Sequence, residues 1–454
     1  MPLQAALPKG TRDFLPGAMQ QREYIVNTLK EAFKKYGFNP IETPALEKVE
    51  TLTGKYGEEG DRLVFKLLPR GKKLNQALAD GKMESRIEEA LRYDLTVPFA
   101  RFVVQNQNEL TFPFKRFQIQ PVWRADRPQK GRFREFVQCD ADAVGSTSLL
   151  QEVEFLALYQ EVFKALQLPV ILKLNNRKLL FGLAEAFGVQ DRFGHFTVAL
   201  DKLDKIGAQG VLHELTKLEF PVNAVNGFKK ILTIGGSNQE RLEQLGALCA
   251  QSEIGKKGLE ELEVVLEGAQ NLGISNLQLD ITLARGLDYY TGSIFEVTAQ
   301  GVEMGSIGGG GRYDDLTGIF GKKDLPGIGI SFGLDRIQIC LQELGLFPDL
   351  KEQSTEVLFA NFGNSEALFS LGLVQKLRTL GVKAEVYPDA VKLRKQLDFA
   401  NKNGMAYVVL IGEKEMEAGS FGVKNMSTGE QQQLREIELL EQFNPQNQLG
   451  HGLH

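Results

Sequence analysis

Cysteine is scarce in this 454-residue chain: Cys139, Cys249 and Cys340 lie far apart and form no CxxC pair. With only four histidines as well, a structural zinc site is not expected, and the lack of a disulfide framework fits a reducing compartment. No uncharged apolar run approaches the roughly 20 residues of a membrane span. Residues 1–10 carry no basic segment followed by an apolar core, so no signal peptide is read there. The expectation is a soluble, cytoplasmic protein with no membrane partner. Neither GxGxxG nor GxxxxGK[ST] occurs, which removes support for a Rossmann or P-loop nucleotide site. Positive charge is not in excess: the net charge is -5, so a polyanion would have to be met by a local basic patch. There is no internal repeat and no long low-complexity tract.

What is present is an ordinary globular composition, in a chain long enough for two to four domains. Helical spacing runs from Gln20 to Tyr36 and stops at Gly37, and the prolines of Phe38 to Pro44 predict an extended segment. Strands are predicted at 62–70, 110–124, 132–144 and 169–174, with a helix at 149–166. The stretch 184–272 is rich in Leu, Glu, Lys and Gln at helical spacing and reads as a helical insertion. Strand-like sequence returns at 276–283, 293–300 and 326–332, followed by a helix from Gly333 to Leu344. After a linker at 348–355, strands at 357–360, 383–387 and 407–411 alternate with helices at 364–380 and 391–403, the rhythm of a small α/β domain with a mixed or parallel sheet. Residues 444–454 lack periodicity.

Four runs carry chemistry. Arg285-Gly-Leu-Asp-Tyr-Tyr-Thr-Gly292 gathers an arginine, an acid and the tyrosines Tyr289 and Tyr290 after a strand-like segment; it is either a site or a hairpin with a surface ion pair. From Arg124 to Phe136 the pattern is strand, basic loop, strand, with Arg124, Arg127, Lys130, Arg132 and Arg134 suited to phosphate oxygens and Phe136 to base stacking. An edge hairpin blunted by charge is the alternative. Gly327-Ile-Gly-Ile-Ser-Phe-Gly333 runs into a helix with Arg336 in its first turn, where a cation opposes the helix dipole; it meets a nucleotide or pairs with Asp335 or another neighbour. The glycines 308–311, before Arg312 and Tyr313, form either a ligand wall or a loose hairpin tip. Two polar clusters, Asp94 with Thr96 and Gln138 with Asp140 and Asp142, share a face if extended and could line one pocket, although each also fits a turn or helix start.

Together these runs resemble class II aminoacyl-tRNA synthetases and, within them, the histidyl-tRNA synthetase family. Arg124-x-Asp…Arg132-x-x-x-Phe136 is similar to motif 2, the strand ending in Gly333-Leu-Asp-Arg336 to motif 3, and the first long helix with Phe38 to Glu47 to motif 1. Arg285-Gly-Leu-Asp-Tyr-Tyr resembles the signature of the histidine enzymes, and Lys9 to Asp13 fits as well. Asp126 and Asp142 stand where many relatives have glutamate.

The resemblance implies an α/β protein with an α+β catalytic core. Its antiparallel sheet, flanked by helices, is built from 1–183 and 273–347, interrupted by the insertion 184–272 and followed by an α/β anticodon-binding domain at 355–443. It implies activation of L-histidine by ATP with Mg²⁺, transfer to tRNA(His), and a homodimer. Carried over by position, Arg124, Arg132, Phe136 and Arg336 would hold ATP. Asp94, Thr96 and Gln138 would hold the histidine amino group, Asp142, Tyr290 and Tyr313 would lie around the imidazole, and Tyr289 would also belong to the histidine site. Arg285 would lie between the histidine carboxylate and the α-phosphate. The chemistry is consistent with these residue types, because two anions must be neutralised and aligned. The alternatives are a non-catalytic paralogue regulating histidine biosynthesis, another class II synthetase, and an RNA-binding protein without ligase activity.

Overall fold

A computed structural model describes residues 3–53, 57–284, 290–348, 350 and 355–445. The chain divides into two units, Met1–Pro348 and Asp349–His454. The first is built on an eight-stranded sheet in the order Asn39–Pro40, Phe114–Trp123, Glu135–Val144, Gly327–Gly333, Gly308–Tyr313, Ser293–Ala299, Val170–Asn176 and Leu277–Leu279. All neighbours are antiparallel except the outermost pair at each edge.

Period-two alternation fixes what the two sheet faces hold. Phe117, Ile119, Cys139, Ala141, Ile328, Ile330 and Phe332 stand on one face, while Arg116, Gln118, Gln120, Gln138, Asp140, Asp142 and Ser331 stand on the other. The apolar face is covered by helices Pro16–Lys35, Leu150–Ala165 and Leu334–Glu343. Phe33 and Tyr159 bring their rings to 5.8 and 4.8 Å from that of Phe332. Burying Phe332 contributes about 2–3 kcal/mol of transfer free energy. The first helix begins on Pro16, whose missing N–H costs nothing at that position, and ends where Gly37 takes φ +79°.

Strands Val170–Asn176 and Leu277–Leu279 are parallel neighbours, and parallel strands need a crossover. Six α-helices between Arg177 and Asn271 form it. Among the described residues no helix is long and apolar enough to cross a membrane.

Two expectations are corrected. The segment 62–70 is not a strand: it leaves helix Gly57–Arg62 and touches Glu89–Leu91 through one bridge, Lys66 to Ala90. The strand expected at 276–283 stops at Leu279, because Asp280 turns the chain by accepting hydrogen bonds from Thr282 N and Oγ1 at 3.0 and 2.6 Å.

The second unit carries a mixed five-stranded sheet ordered Ala384–Val386, Val357–Phe359, Tyr407–Leu410, Ser420–Asn425 and Gln431–Arg435. The first three strands are parallel and the last two antiparallel. Helices Asn364–Thr379, Leu393–Lys402 and Glu436–Phe443 pack on it.

Candidate active site

The polar face of the large sheet opens into a cleft of about 470 Å³. The connection between Phe114–Trp123 and Glu135–Val144 forms one wall. It closes on itself through Arg124 N to Arg134 O at 2.9 Å and paired hydrogen bonds between Gln129 and Arg132. Arg124, Asp126, Arg132 and Phe136 line the cleft from this side, and Ser306 to Gly309 with Gly333 and Arg336 line the other. Glu135–Val144 is an interior strand, so the hairpin is not a free edge.

The Arg124 guanidinium lies 4.3 Å from the Tyr93 ring centroid and 5.1 Å from that of Phe136, and its Nε donates to Tyr93 O. Arg132 sits 3.6 Å from Asp126. Arg336 does not pair with Asp335. Its Nε donates to Gly131 O at 2.8 Å and its Nη1 to Ser306 O at 2.5 Å, so two backbone carbonyls aim it at the cleft. Asp335 instead accepts from Arg12, from Arg22 at 2.6 Å and from Val137 N at 3.2 Å. Arg12 also stacks over Phe133, 3.2 Å from its centroid. Arg12 and Asp335 thus tie the chain start to this wall.

A second, smaller cavity of about 70 Å³ adjoins the cleft and shares Arg124, Gln138, Gly309 and Ser331 with it. Asp94, Thr96, Asp140, Asp142, Tyr290 and Tyr313 complete its polar lining. Asp94 accepts from Val97 N at 3.2 Å at the start of helix Thr96–Gln105. The helix-start reading of this cluster therefore holds, and it still faces the cavity. Asp142 is pinned from two sides: Tyr313 Oη donates to Oδ1 at 2.5 Å, and Arg116 Nη2 lies 2.6 Å from Oδ2. Burial raises the Asp142 pKa, opposed by Arg116 and by the Tyr313 hydrogen bond. Burial, with Asp142 beside it, raises the Tyr313 phenol well above its usual value. Asp140 is pushed up to about 7, chiefly by burial and then by Asp142 and Asp94, against the pull of Arg116 and a hydrogen bond with Ser331.

The glycine-rich strands make room for this cavity. A Cβ on Gly329 would lie 2.0 Å from Asp142 Oδ1, and one on Gly327 would lie 2.3 Å from the Tyr313 ring. Glycines 308–311 are therefore neither a loop nor a loose tip but a strand, and Arg312 and Tyr313 at its end diverge by alternation. Tyr313 enters the cavity, whereas Arg312 makes a buried two-bond pair with Glu152 at 2.6 and 2.7 Å.

The sequence places chemistry at 285–290, but Arg285 and Tyr289 lie outside the described residues. Tyr290, the next residue, lines the small cavity. The reading missed Arg116. Its only sequence signal is that Arg116, Gln118 and Gln120 share one face of a strand whose other residues, apart from Lys115, are apolar. Among the described residues no group of three His, Cys, Asp or Glu could hold a metal ion.

An antiparallel sheet with an arginine-bearing hairpin on one side, and a glycine strand running into an arginine-bearing helix on the other, defines a class II aminoacyl-tRNA synthetase core. Residues 10–337 match the family described as histidyl-tRNA synthetase, and 358–444 match the anticodon binding domain. The histidine–tRNA ligase of Christiangramia forsetii is 55% identical over 446 residues, 96% of this chain and 98% of its own. That of Phocaeicola vulgatus is 50% identical over 97% of this chain and 99% of its own. The crystal structure of histidyl-tRNA synthetase from Nostoc sp. PCC 7120 superposes with a TM-score of 0.81 at 32% identity, over 98% of this chain and 100% of its own. The chain belongs to the histidyl-tRNA synthetase family.

Proposed function

We infer that the chain is a histidine–tRNA ligase. It joins L-histidine to ATP, giving histidyl-adenylate and pyrophosphate, and passes the histidyl group to the 3′ end of tRNA(His). The observation that carries this reading is the junction of the two cavities. A buried carboxylate–tyrosine pocket, the right chemistry for an imidazole, opens at Arg124 into an arginine-lined cleft suited to a nucleotide.

ATP lies in the cleft, its adenine between Phe136 and Arg336, with Arg132 on the outer phosphates and Arg124 on the α-phosphate. Histidine lies in the small cavity, its ammonium toward Asp94, Thr96 and Gln138 and its imidazole toward Asp142, Tyr290 and Tyr313. The histidine carboxylate attacks the α-phosphorus and pyrophosphate leaves. Arg124 and Arg285 quench the repulsion between the two anions and hold them in line. A ribose hydroxyl of tRNA then attacks the histidyl carbonyl, AMP leaves, and the adenylate phosphate takes the hydroxyl proton. An apolar side chain would lie against the Asp142 carboxylate and the Tyr313 hydroxyl without hydrogen-bonding to either, forfeiting what an imidazole gains there, which rejects it without editing. Mg²⁺ belongs with the ATP phosphates as part of that substrate. Asp126 and Asp335 are engaged by arginines, and the described acids form no cage for a resident ion.

The catalytic core comprises 1–183 and 273–347. The insertion 184–272 interrupts it, and 355–443 reads the anticodon. The enzyme works as a cytoplasmic homodimer. Pyrophosphate exchange measured without tRNA tests the central reading. Exchange must depend on histidine; exchange with threonine, or none at all, defeats it.

A further inference from the structure

Among the described residues, the buried acceptor oxygens of the small cavity without a hydrogen-bond partner include Gln138 Oε1 and Asp140 Oδ1. They stand two residues apart on one sheet face, beside Asp94. Asp140 is only 2% exposed and has Ser331 beside it. Buried acceptors left unpaired are costly, so the arrangement calls for a ligand with several donors. A primary ammonium carries three N–H donors and no acceptor.

We propose that Asp140 is a binding residue for the substrate's α-ammonium, completing a three-acceptor cradle with Asp94 and Gln138. This rests on the histidine-site reading above and adds a residue to it. The charges around Asp140 agree with it. Asp142 faces it from its own strand, Asp94 from the start of helix Thr96–Gln105, and Arg116 from the neighbouring strand. Tyr159 lies within electrostatic reach of Asp140, and Tyr290, Tyr313 and Arg124 share the cavity. Asp94, Asp140 and Asp142 stand here against Arg116 and Arg124, and burial together with the two neighbouring acids raises the Asp140 carboxyl to about 7. A cation entering there drives the proton off.

The test uses two competitive ligands of the full-length protein. L-Histidinol keeps the ammonium and imidazole but lacks the carboxylate; imidazolepropionic acid lacks the ammonium. At pH 8, Asp140→Asn is expected to weaken histidinol by about 10- to 100-fold while leaving imidazolepropionic acid within about twofold. Between pH 7.5 and 6 the wild-type dissociation constant for histidinol should rise roughly eightfold more than that of the variant, a comparison that cancels the ligand's own imidazole titration. Equal loss of both ligands means a merely structural role and overturns the proposal, as does unchanged histidinol binding. Should the variant fail to fold, calorimetry of the wild type in buffers of different ionisation enthalpy decides. At pH 7 histidinol should release about half a proton more than imidazolepropionic acid, and equal release overturns the proposal. A wild-type protein that binds neither ligand would instead overturn the histidine-site reading itself.

Discussion

The guanidinium of Arg116 and the carboxylate of Asp142 face each other at 2.6 Å across adjacent strands, both shut away from solvent. The pair holds one oxygen of Asp142 while Tyr313 holds the other. Removing one member strands a buried charge, which costs more than removing both. Arg116→Met is expected to lower unfolding free energy by about 3–5 kcal/mol, and Arg116→Met with Asp142→Asn to recover at least about half of that. Urea denaturation checks both; a double variant as unstable as the single one contradicts the pairing.

Asp140 gives stability a pH dependence of known sign. Its carboxyl is raised from 3.8 to about 7 in the folded chain. The folded state therefore binds the extra proton, and the stability this gives is complete below pH 4 and lost as pH rises through about 7. Asp140→Asn removes the cost of that buried charge. At pH 8 the variant should be more stable than wild type, by an amount of the order of 3 kcal/mol, with the difference fading toward pH 4. Equal stability at pH 8 would contradict the assignment.

A methyl group on Gly329 has no room beside Asp142 Oδ1. Gly329→Ala should displace that carboxylate and lower kcat/KM for histidine by roughly 100-fold, since a shift of about 1 Å in a positioned group has that effect. The KM for ATP should change far less. A variant with normal histidine kinetics would separate Asp142 from substrate binding.

Two arginines should divide by kinetic step. Arg285→Ala is expected to cut histidine-dependent pyrophosphate exchange by at least about 100-fold, the scale for losing a group that stabilises developing charge. Arg336→Ala should act mainly through ATP, raising its KM by about tenfold or more as one charge-assisted contact is lost. Full exchange activity in the Arg285 variant contradicts its proposed role.

The chain divides at Pro348. Ending it there should spare part of the exchange reaction and weaken aminoacylation of tRNA. Charging at the full-length rate would mean that 355–443 does not read tRNA.

The long helices and the paired strands of the sheet centre were legible because alternation and helical spacing are strong over ten or more residues, as in Phe114–Trp123 and Leu150–Ala165. Helix Lys72–Asp80 was not read, since its apolar stripe is short (Leu74, Ala77 and Leu78) and Ala77 is its one buried residue. The strands Ser420–Asn425 and Gln431–Arg435 escaped for a related reason, the second having no fully buried residue. The cleft residues Arg124, Phe136 and Arg336 were legible as motifs. Arg116 was not, because its partner lies on another strand and no local spacing announces it. Asp335 was read as a possible partner of Arg336, but it is taken by Arg12, 323 residues away in sequence.

Polar and apolar residues alternate along the central strands of the large sheet, so its chemistry depends on parity. Gaining or losing one codon within Glu135–Val144 would turn Asp140 and Asp142 into the helix-packed layer and push Cys139 and Ala141 outward. Over evolutionary time this sheet can accept changes of residue but not changes of strand length, and lineages that differ in size should differ in their connecting segments.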